Sequence, residues 1–509
     1  MFQVRVLAGA QTINSNYFMK DIDKKMIPDE VSRVTQRLQG AGFEAYLVGG
    51  CVRDLLLGRE PKDWDVTTSA LPGDIQGIFE HTAYENEYGT VRVINDDTQN
   101  ERLRIIEVTP YRLESTYTDH RHPDKVVFSQ KIEDDLVRRD FTINAIAYDN
   151  IKDSIVDPYK GQQDLSDKMV RSVGEPIERF KEDHLRILRG VRIANELDFA
   201  IESNTQEAIV SHETLLQHVS MERIREELIK IIMSDSPARG IEMAQKLGVW
   251  KHIIPELEQG IGNEQNGDHI YDVWVHNLKA LQHGADEGWP LHVRMGALLH
   301  DVGKPATRRW SEEKNDWTFY GHDVVGSRMA AKIMARLKFS RETSNIVIKL
   351  VRHHLFFSDV EKITLSAVRR IVAHLGQEHI WDLIKVRCCD RIGMGRPKAE
   401  PFRLRKYEAM IEEVLRDPIT VGMLKLDGND LIKKHGMHAG PRIGWVLYAL
   451  LEDVLDDPGR NTEEFLVSRV TELKKLDDMA LKALGDDGKD KQHEVEEVEL
   501  KKIHKKYRI

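Results

Sequence analysis

The sequence has few cysteines, no long apolar run and no excess of positive charge, and each shortage excludes a class of protein. Only three of the 509 residues are cysteines, and Cys388 and Cys389 are adjacent, so we expect no disulfide framework and a reducing, cytoplasmic compartment. No apolar run reaches the roughly 18 residues of a membrane-spanning helix, and the N-terminal segment lacks a signal-peptide core, so no membrane association is expected. The net charge of −10 gives no sign of nucleic-acid binding.

What is present is typical of a large globular protein, with 41% hydrophobic and 31% charged residues. Short strand patterns alternate with helices in the first part of the chain, and helical periodicity dominates from about residue 177 onward. We therefore predict an α+β fold, in which a head with a small mixed sheet precedes an all-helical body. The predicted segments are a leader at 1–27, the head at 28–160, a helical neck at 161–262, a histidine-rich helical domain at 263–395, a helical body at 396–480 and a charged tail at 481–509.

The first motif places a glycine turn ahead of two aspartates. A predicted strand at residues 45–48 ends at Gly49-Gly50, and Arg53 follows one turn into the next helix, an arrangement that favours phosphate binding. Asp63 and Asp65 are two residues apart in or beside a second predicted strand at 64–67, so both carboxylates are expected on one face. Such paired oxygen ligands favour Mg²⁺, and Glu107 on a later strand is the candidate third carboxylate.

A second motif is rich in arginine. The segment RRDFTINA at 138–145 contains Arg139, and a helix predicted from Glu182 to Leu197 carries four charged residues at close to helical spacing: Asp183, Arg186, Arg189 and Arg192. An aspartate and an arginine one turn apart offer acceptors and donors to the edge of a base, while further arginines suit a triphosphate. The alternative interpretation is a salt-bridge ladder along one helix.

A third motif collects histidines and aspartates with the spacing of a metal site: His276, His300, Asp301, His322, His353, His354 and Asp390. A mixed set of imidazoles and carboxylates suits a divalent transition metal. The sequence leaves open which residue of the pair His353-His354 would be the ligand.

The order of the motifs GGxxRD, DxD, RRDFTxNA and EDxxR resembles the bacterial tRNA nucleotidyltransferases, the CCA-adding enzymes, and the related poly(A) polymerases. The resemblance covers about residues 45–260 and implies a polymerase-β-like nucleotidyltransferase head. It implies that Asp63 and Asp65 hold catalytic Mg²⁺ and that Asp183 and Arg186 select CTP and ATP by their base edges. It further implies that Gly50, Arg53 and Arg139 contact the incoming nucleotide, and that the nucleotide-binding residues Arg189 and Arg192 support the selection of the base.

The implied reaction is the addition of CMP, CMP and AMP to the 3′ end of tRNA without a nucleic-acid template. Residues 111–123 resemble the flexible loop of this family, which favours complete CCA synthesis. A poly(A) polymerase and a non-catalytic RNA-binding protein are the alternatives, although the intact Asp63 and Asp65 argue against the latter.

The histidine motif resembles the HD superfamily of metal-dependent phosphohydrolases, which some bacterial CCA-adding enzymes carry after the head. The complete ligand set implies an active phosphatase or 2′,3′-cyclic phosphodiesterase that repairs tRNA 3′ ends. The sequence does not indicate an oligomeric state.

Overall fold

The computed structural model describes residues 22–84, 89–114, 126–266, 269–357, 363–396, 398–415 and 421–507. The chain forms two compact units. The first unit holds the described residues up to Asn263 together with Ala285–Arg294 and Ala331–Arg341, and the second holds Glu264–Gly284, Met295–Ala330 and the described residues from Glu342 onward. Among the helices in these ranges, none is long and apolar enough to cross a membrane.

A mixed sheet organises the head, as predicted. Its strands are β1 (Ala45–Val48), β2 (Asp65–Thr68), β3 (Thr82–Tyr84), β4 (Val91–Ile94), β5 (Ile105–Pro110), β8 (Ala147–Asp149) and β9 (Ser154–Val156). The strands lie in the order β3-β4-β5-β2-β1-β8-β9, and β2 pairs with β5 in parallel whereas the other neighbours are antiparallel. Two further pairs are separate from this sheet: β6 (Arg112–Glu114) with β7 (Val126–Phe128), and β10 (Met169–Val170) with β11 (Ala200–Ile201).

Helices cover the sheet and continue into the neck. They are α1 (Asp29–Gly40), α2 (Gly50–Leu56), α3 (Pro72–Ile78), α4 (Ile132–Val137), α5 (Gly161–Ser166), α6 (Pro176–Glu182), α7 (Arg186–Leu197), α8 (Ser203–His212), α9 (Met221–Ile232), α10 (Pro237–Lys246) and α11 (Pro255–Glu258). One continuous core joins helix and strand residues, including Val31, Leu38, Leu47, Ile106 and Phe141. Its burial fixes the ends of β1, β2 and β5 beside one another, which positions the first candidate site.

Beyond α11, the described residues form helices and one hairpin, which consists of β12 (Arg309–Ser311) and β13 (Asp316–Thr318). The helices are α12 (Val273–Asp286), α13 (Leu291–Leu299), α14 (Lys304–Thr307), α15 (His322–Arg336), α16 (Arg341–His353), α17 (Leu365–Leu375), α18 (Ile380–Gly393), α19 (Phe402–Leu415), α20 (Gly428–Lys433), α21 (Pro441–Asp456), α22 (Glu463–Leu473) and α23 (Asp478–Tyr507).

Within the predicted charged tail, the charges and the glycine of residues 486–491 predict a linker, but this segment lies inside α23. A Cβ on Gly485 would lie 2.7 Å from Cα of Trp445, and one on Gly488 would lie 2.2 Å from the carbonyl oxygen of Tyr448. The two glycines thus let α23 lie directly against α21. The glycines that suggested flexibility instead permit close helix packing, so the linker interpretation is wrong.

Candidate active sites

The first candidate site begins at the turn between β1 and α2. Gly49 makes this turn with φ of 81°, a conformation that disfavours any residue with a side chain. A Cβ at this position would lie 3.1 Å from Nη1 of Arg139 and 3.6 Å from Oδ2 of Asp65. Gly50 then opens α2, which carries Arg53. The turn therefore brings the backbone next to the arginine and the carboxylate that the sequence singled out.

The carboxylates lie at the start of β2 and on the strand next to it. Asp65 is the first residue of β2 and is directly paired with Glu107 of β5, so their side chains share one face of the sheet. Asp63 lies two residues before Asp65 and outside β2, so only Asp65 of the pair belongs to the strand. A salt bridge of 3.5 Å also joins Glu107 to Arg92.

The electrostatics of this group fit a divalent cation. Burial raises the pKa of Asp65, and the negative charge of Asp63 raises it further, although Arg139 opposes both effects. A cation held between the two carboxylates would remove this repulsion, and hard oxygen ligands of this kind suit Mg²⁺.

Two arginines of the site are held in place by buried polar groups. Arg53 donates from Nη1 to Oδ1 of Asn144 at 3.0 Å, and its side chain is 12% exposed. Arg139 donates to Asp135 at 2.9 Å. Burial opposes the charged form of Asp135, but Arg138 and Arg139 hold its pKa below the usual range. Both arginines are therefore fixed in orientation before any ligand binds.

Asp183 lies between two helices and not within one. Helix α6 ends at Glu182, and Asp183 adopts extended backbone angles before α7 begins at Arg186, so the prediction of one helix from Glu182 to Leu197 is wrong. Arg223 of α9 donates to both carboxylate oxygens of Asp183, at 3.0 and 2.8 Å. This bidentate pair fixes the plane of the Asp183 carboxylate.

The arginines of α7 are also paired. Arg186 donates to Glu182 at 2.6 Å and to the carbonyl oxygen of Arg138 at 2.8 Å. Arg192 donates to Glu196 at 2.6 Å, so the predicted helical salt-bridge ladder is present in part.

Other contacts of α7 reach beyond the helix. Arg189 donates twice to Asp140, at 2.9 and 2.6 Å, and Arg192 donates to Glu227 at 2.5 Å. Burial opposes ionisation of Asp140, but Arg189 lowers its pKa. Because Asp140 belongs to the RRDFTINA segment, these bonds attach that segment to α7. The side chain of Arg189 is 35% exposed.

The second candidate site gathers six of the seven predicted histidine-motif residues in the second unit. These residues form two groups, and within each group the ligand atoms lie within 4.8 Å of one another. All members are buried: His276, His300 and Asp390 in one group, and Asp301, His322 and His354 in the other. Asp301 joins the groups, because its Oδ2 lies 3.2 Å from Nε2 of His276 and its Oδ1 lies 3.3 Å from Nε2 of His322. The arrangement offers two adjacent cation positions with Asp301 between them.

The hydrogen bonds of three histidines define which nitrogen faces the centre of the cluster. Nδ1 of His300, His322 and His354 lies 2.7–2.8 Å from the carbonyl oxygens of Ala297, Phe319 and Val351, respectively. A carbonyl only accepts, so each Nδ1 carries a proton, and each ring in its neutral form presents the lone pair at Nε2 to the centre of the cluster.

Facing lone pairs indicate a cation site. Nε2 of His322 and Nε2 of His354 are 3.2 Å apart, an unfavourable contact for two neutral rings unless a cation joins them. Burial opposes a proton on His300, but Asp301 and Asp390 raise its pKa to about 10, which shows how strongly the cluster attracts positive charge. The residues therefore fit a pair of divalent metals.

The structure separates the two adjacent histidines that the sequence could not distinguish. His354 lies in the cluster, whereas the ring of His353 stacks against His374 with a centroid separation of 5.9 Å. Helix α16 ends at His353, and the two side chains leave the backbone in different directions. The prediction of His353 as a ligand is not supported by this geometry.

Three further residues contribute contacts that the sequence did not reveal: Arg223, Asp140 and Gln265. Arg223 orients Asp183, and Asp140 holds Arg189, although neither has a spacing signal of its own. Lys304 lies 2.6 Å from Asp301 and donates to Oε1 of Gln265 at 2.5 Å. Lys304 was recognisable from its place three residues after Asp301, but Gln265 was not.

Three parts of the chain match known families. Residues 45–171 match the Poly A polymerase head domain, 198–261 the probable RNA and SrmB-binding site of polymerase A, and 268–388 the HD domain. A CCA-adding enzyme of Pediococcus pentosaceus is 31% identical over 452 residues, which cover 88% of this chain and 99% of that protein. The chain belongs to the CCA-adding enzyme family.

Other members of this family show how widely the similarity extends. A CC-adding tRNA nucleotidyltransferase of Thermus thermophilus is 34% identical over 421 residues, covering 80% of this chain and 89% of that one. The crystal structure of the Bacillus stearothermophilus CCA-adding enzyme with CTP has a TM-score of 0.59 and 26% identity, covering 88% and 98%. The predicted family, the polymerase-β-like head and the HD domain are confirmed, and the chain is a nucleotidyltransferase of this family. The nucleotidyltransferase family and the HD family both use divalent metals.

Proposed function

We propose that this member of the CCA-adding enzyme family adds CMP, CMP and AMP to the 3′ end of tRNA from CTP and ATP, releasing pyrophosphate. The observation that carries the proposal is the convergence of Asp63, Asp65 and Glu107 with Arg53 and Arg139 around the Gly49 turn. The relatives named above, which add CC or CCA, support the same chemistry.

In this proposal, the carboxylates of the head bind the metal and the arginines position the nucleotide. Asp63 and Asp65, with Glu107 beside them, would hold Mg²⁺, which when bound neutralises charge on the reacting phosphate oxygens. Arg53 and Arg139 bind and orient the triphosphate, and Arg189 and Arg192 support the helix that reads the base. Gly50 keeps the opening of α2 free of a side chain.

Selection of the base needs no nucleic-acid template in this proposal. The Asp183 carboxylate accepts from the exocyclic amino group that cytosine and adenine share, and Arg186 donates to ring acceptors on the same edge. UTP and GTP present a carbonyl where that amino group would be, so they are rejected.

The direct test is incubation of the purified protein with tRNA that lacks its 3′ CCA, with labelled CTP and ATP supplied alone and together. We expect two C residues from CTP alone and one further A when both are present. Two C residues with no A would indicate a CC-adding enzyme, and long A tails would indicate the poly(A) polymerase alternative. No incorporation would leave only the non-catalytic RNA-binding alternative. The loop resemblance at 111–123 falls mostly outside the described residues, so the nucleotide test decides this point.

Replacing Arg223 should impair the discrimination between bases more than it impairs the nucleotidyl-transfer step itself. In Arg223→Gln the Asp183 carboxylate loses both guanidinium bonds and turns freely, so we expect kcat/KM for CTP to fall about 10- to 100-fold and the preference over UTP to fall with it. The measurement is single-nucleotide incorporation with each of the four triphosphates.

Arg225→Gln is the matched control, because Arg225 lies on the same helix but contacts Glu226 and the carbonyl oxygen of Lys338. Equal losses with CTP and UTP in Arg223→Gln would contradict a role in base selection.

We further propose that the histidine cluster of the HD domain hydrolyses phosphate esters at damaged tRNA 3′ ends, as a phosphatase or a 2′,3′-cyclic phosphodiesterase. His276, His300, Asp301, His322, His354 and Asp390 would hold divalent transition metals, which when bound supply an activated water. Lys304 places a positive charge 2.6 Å from Asp301, where it can orient a phosphate oxygen. The complete and buried ligand set supports this second activity, and its test is given in the Discussion.

A further inference from the structure

The hairpin β12–β13 carries an unusual set of aromatic and cationic side chains. Trp310 and Trp317 are directly opposed across its two strands, and their rings meet edge to face with centroids 5.3 Å apart. The guanidinium of Arg308 lies 3.7 Å from the centre of the Trp317 ring. Trp310 is 50% exposed, and Tyr320, just beyond the hairpin, is 73% exposed. A cluster of exposed aromatic rings is a feature that marks interaction sites.

The hairpin leads directly into the metal cluster. Two residues separate Phe319 from the metal ligand His322, and the carbonyl oxygen of Phe319 accepts from Nδ1 of that histidine at 2.7 Å. The ring of Phe319 also lies 5.6 Å from Nζ of Lys304, the lysine that contacts Asp301. The exposed aromatic rings therefore belong to a segment that leads directly to a residue of the histidine cluster.

A second connection holds the same strand, β13, at Trp317. Asn266 donates to the carbonyl oxygen of Trp317 at 2.7 Å, and the adjacent Gln265 accepts from Lys304 at 2.5 Å. The hairpin is thus attached to the cluster through Phe319 and through Trp317. Groups attached at two points hold a ligand in a defined orientation.

The chemistry of the surface favours a nucleobase. Flat aromatic faces next to guanidinium groups stack on unpaired bases, and every base has such a face, so recognition tolerates any base. Arg309 precedes Trp310 on β12 and is exposed, so it suits a phosphate of the same chain. Lys314 is exposed in the turn after Ser311, which also holds Glu312 and Glu313. Lys314 also donates to the Tyr320 hydroxyl at 2.7 Å, which restrains that ring.

We propose that Trp310, Trp317 and Tyr320 form a stacking platform for the last unpaired base of an RNA whose terminal phosphate lies at the histidine cluster. The substrate class is an RNA 3′ end that carries a 3′-phosphate or a 2′,3′-cyclic phosphate. The inference rests on the proposed phosphohydrolase activity of the HD domain, and it adds that the base, as well as the phosphate, is recognised.

The test compares two substrates that differ only in the base. Cytidine 2′,3′-cyclic phosphate presents a base, and the cyclic phosphate of methyl riboside does not. For Trp310→Ala we expect KM for the cytidine substrate to rise about 5- to 150-fold with kcat little changed, and no change with the methyl riboside. Trp310→Phe keeps a ring and should restore most of the affinity.

Phe402→Ala is the matched control, because Phe402 is an exposed ring in the same unit that also has an arginine nearby, with Arg405 6.0 Å from its centre. It should leave both substrates unaffected. Equal losses with both substrates in Trp310→Ala, or no loss with either, would overturn the platform.

A binding measurement separates failure of the platform from failure of the proposed activity. If wild-type protein hydrolyses neither substrate, the phosphohydrolase proposal is wrong, but the affinity for the dinucleotide CpC can still be measured by titration calorimetry. Weaker binding by Trp310→Ala than by Trp310→Phe would support the platform. Equal binding by wild type and Trp310→Ala, or binding of peptides in place of CpC, would overturn it.

Discussion

Asp65→Asn is expected to lower the rate of CMP addition to tRNA by about 1,000-fold or more and to leave the hydrolysis of cyclic phosphates unchanged. The substitution removes one of the two charges that would hold Mg²⁺ in the head, and with it several kcal/mol of charge stabilisation in the transition state. The measurement is incorporation of labelled CMP under single-turnover conditions.

Stability should not fall with activity in this variant. Burial and Asp63 both raise the pKa of Asp65. Without a bound cation, the ionised Asp65 therefore lowers the free energy of unfolding, whereas an uncharged asparagine does not. We therefore expect an unchanged or higher midpoint of thermal unfolding in the absence of divalent cation. A lower midpoint together with lower activity would mean that the loss arises from misfolding.

Asp96→Asn provides the matched control for Asp65→Asn. Asp96 is a carboxylate of the same head, paired with His81 and about half exposed, with no contact to the glycine turn. It should retain addition close to the wild-type rate. Loss of addition in both variants would argue against a specific role for Asp65.

The parts of the head that could be predicted from the sequence are those whose structure depends on neighbouring residues. The glycine turn, the start of α2 and the strand that follows Asp63 all depend on residues within a few positions of one another, and the strand bound was wrong by a single residue. Glu107 is more distant, but its strand was recognisable, and parallel pairing of β2 with β5 places it beside Asp65.

The errors come from contacts between distant residues. The apolar spacing from Glu182 to Leu197 is helical, yet the backbone is extended at Asp183, where Arg223 binds the carboxylate from 40 residues away. Likewise, glycine in a charged segment usually indicates a flexible chain, but here Trp445 and Tyr448 lie close enough to require it in a helix. Neither partner can be inferred from the segment itself.

Variants of the adjacent residues His353 and His354 provide a test of the second site, because only His354 faces the histidine cluster. His354→Ala removes a ligand nitrogen 3.6 Å from Asp301, so we expect metal content to fall and hydrolysis of a 2′,3′-cyclic phosphate to drop by about 100-fold or more. His353→Ala removes only a ring that stacks on His374, so metal content and hydrolysis should both persist. Metal content is measured by elemental analysis of the purified proteins.

The same pair of variants shows whether the two candidate sites act independently. His354→Ala should still add CMP and AMP at the wild-type rate, because the carboxylates of the head and the six residues of the histidine cluster share no ligand. Loss of hydrolysis in His353→Ala but not in His354→Ala would reverse the assignment of the ligand. Loss of addition in His354→Ala, with an unchanged thermal midpoint, would mean that metal in the HD domain also supports the nucleotidyltransferase, because unfolding would then not explain the result.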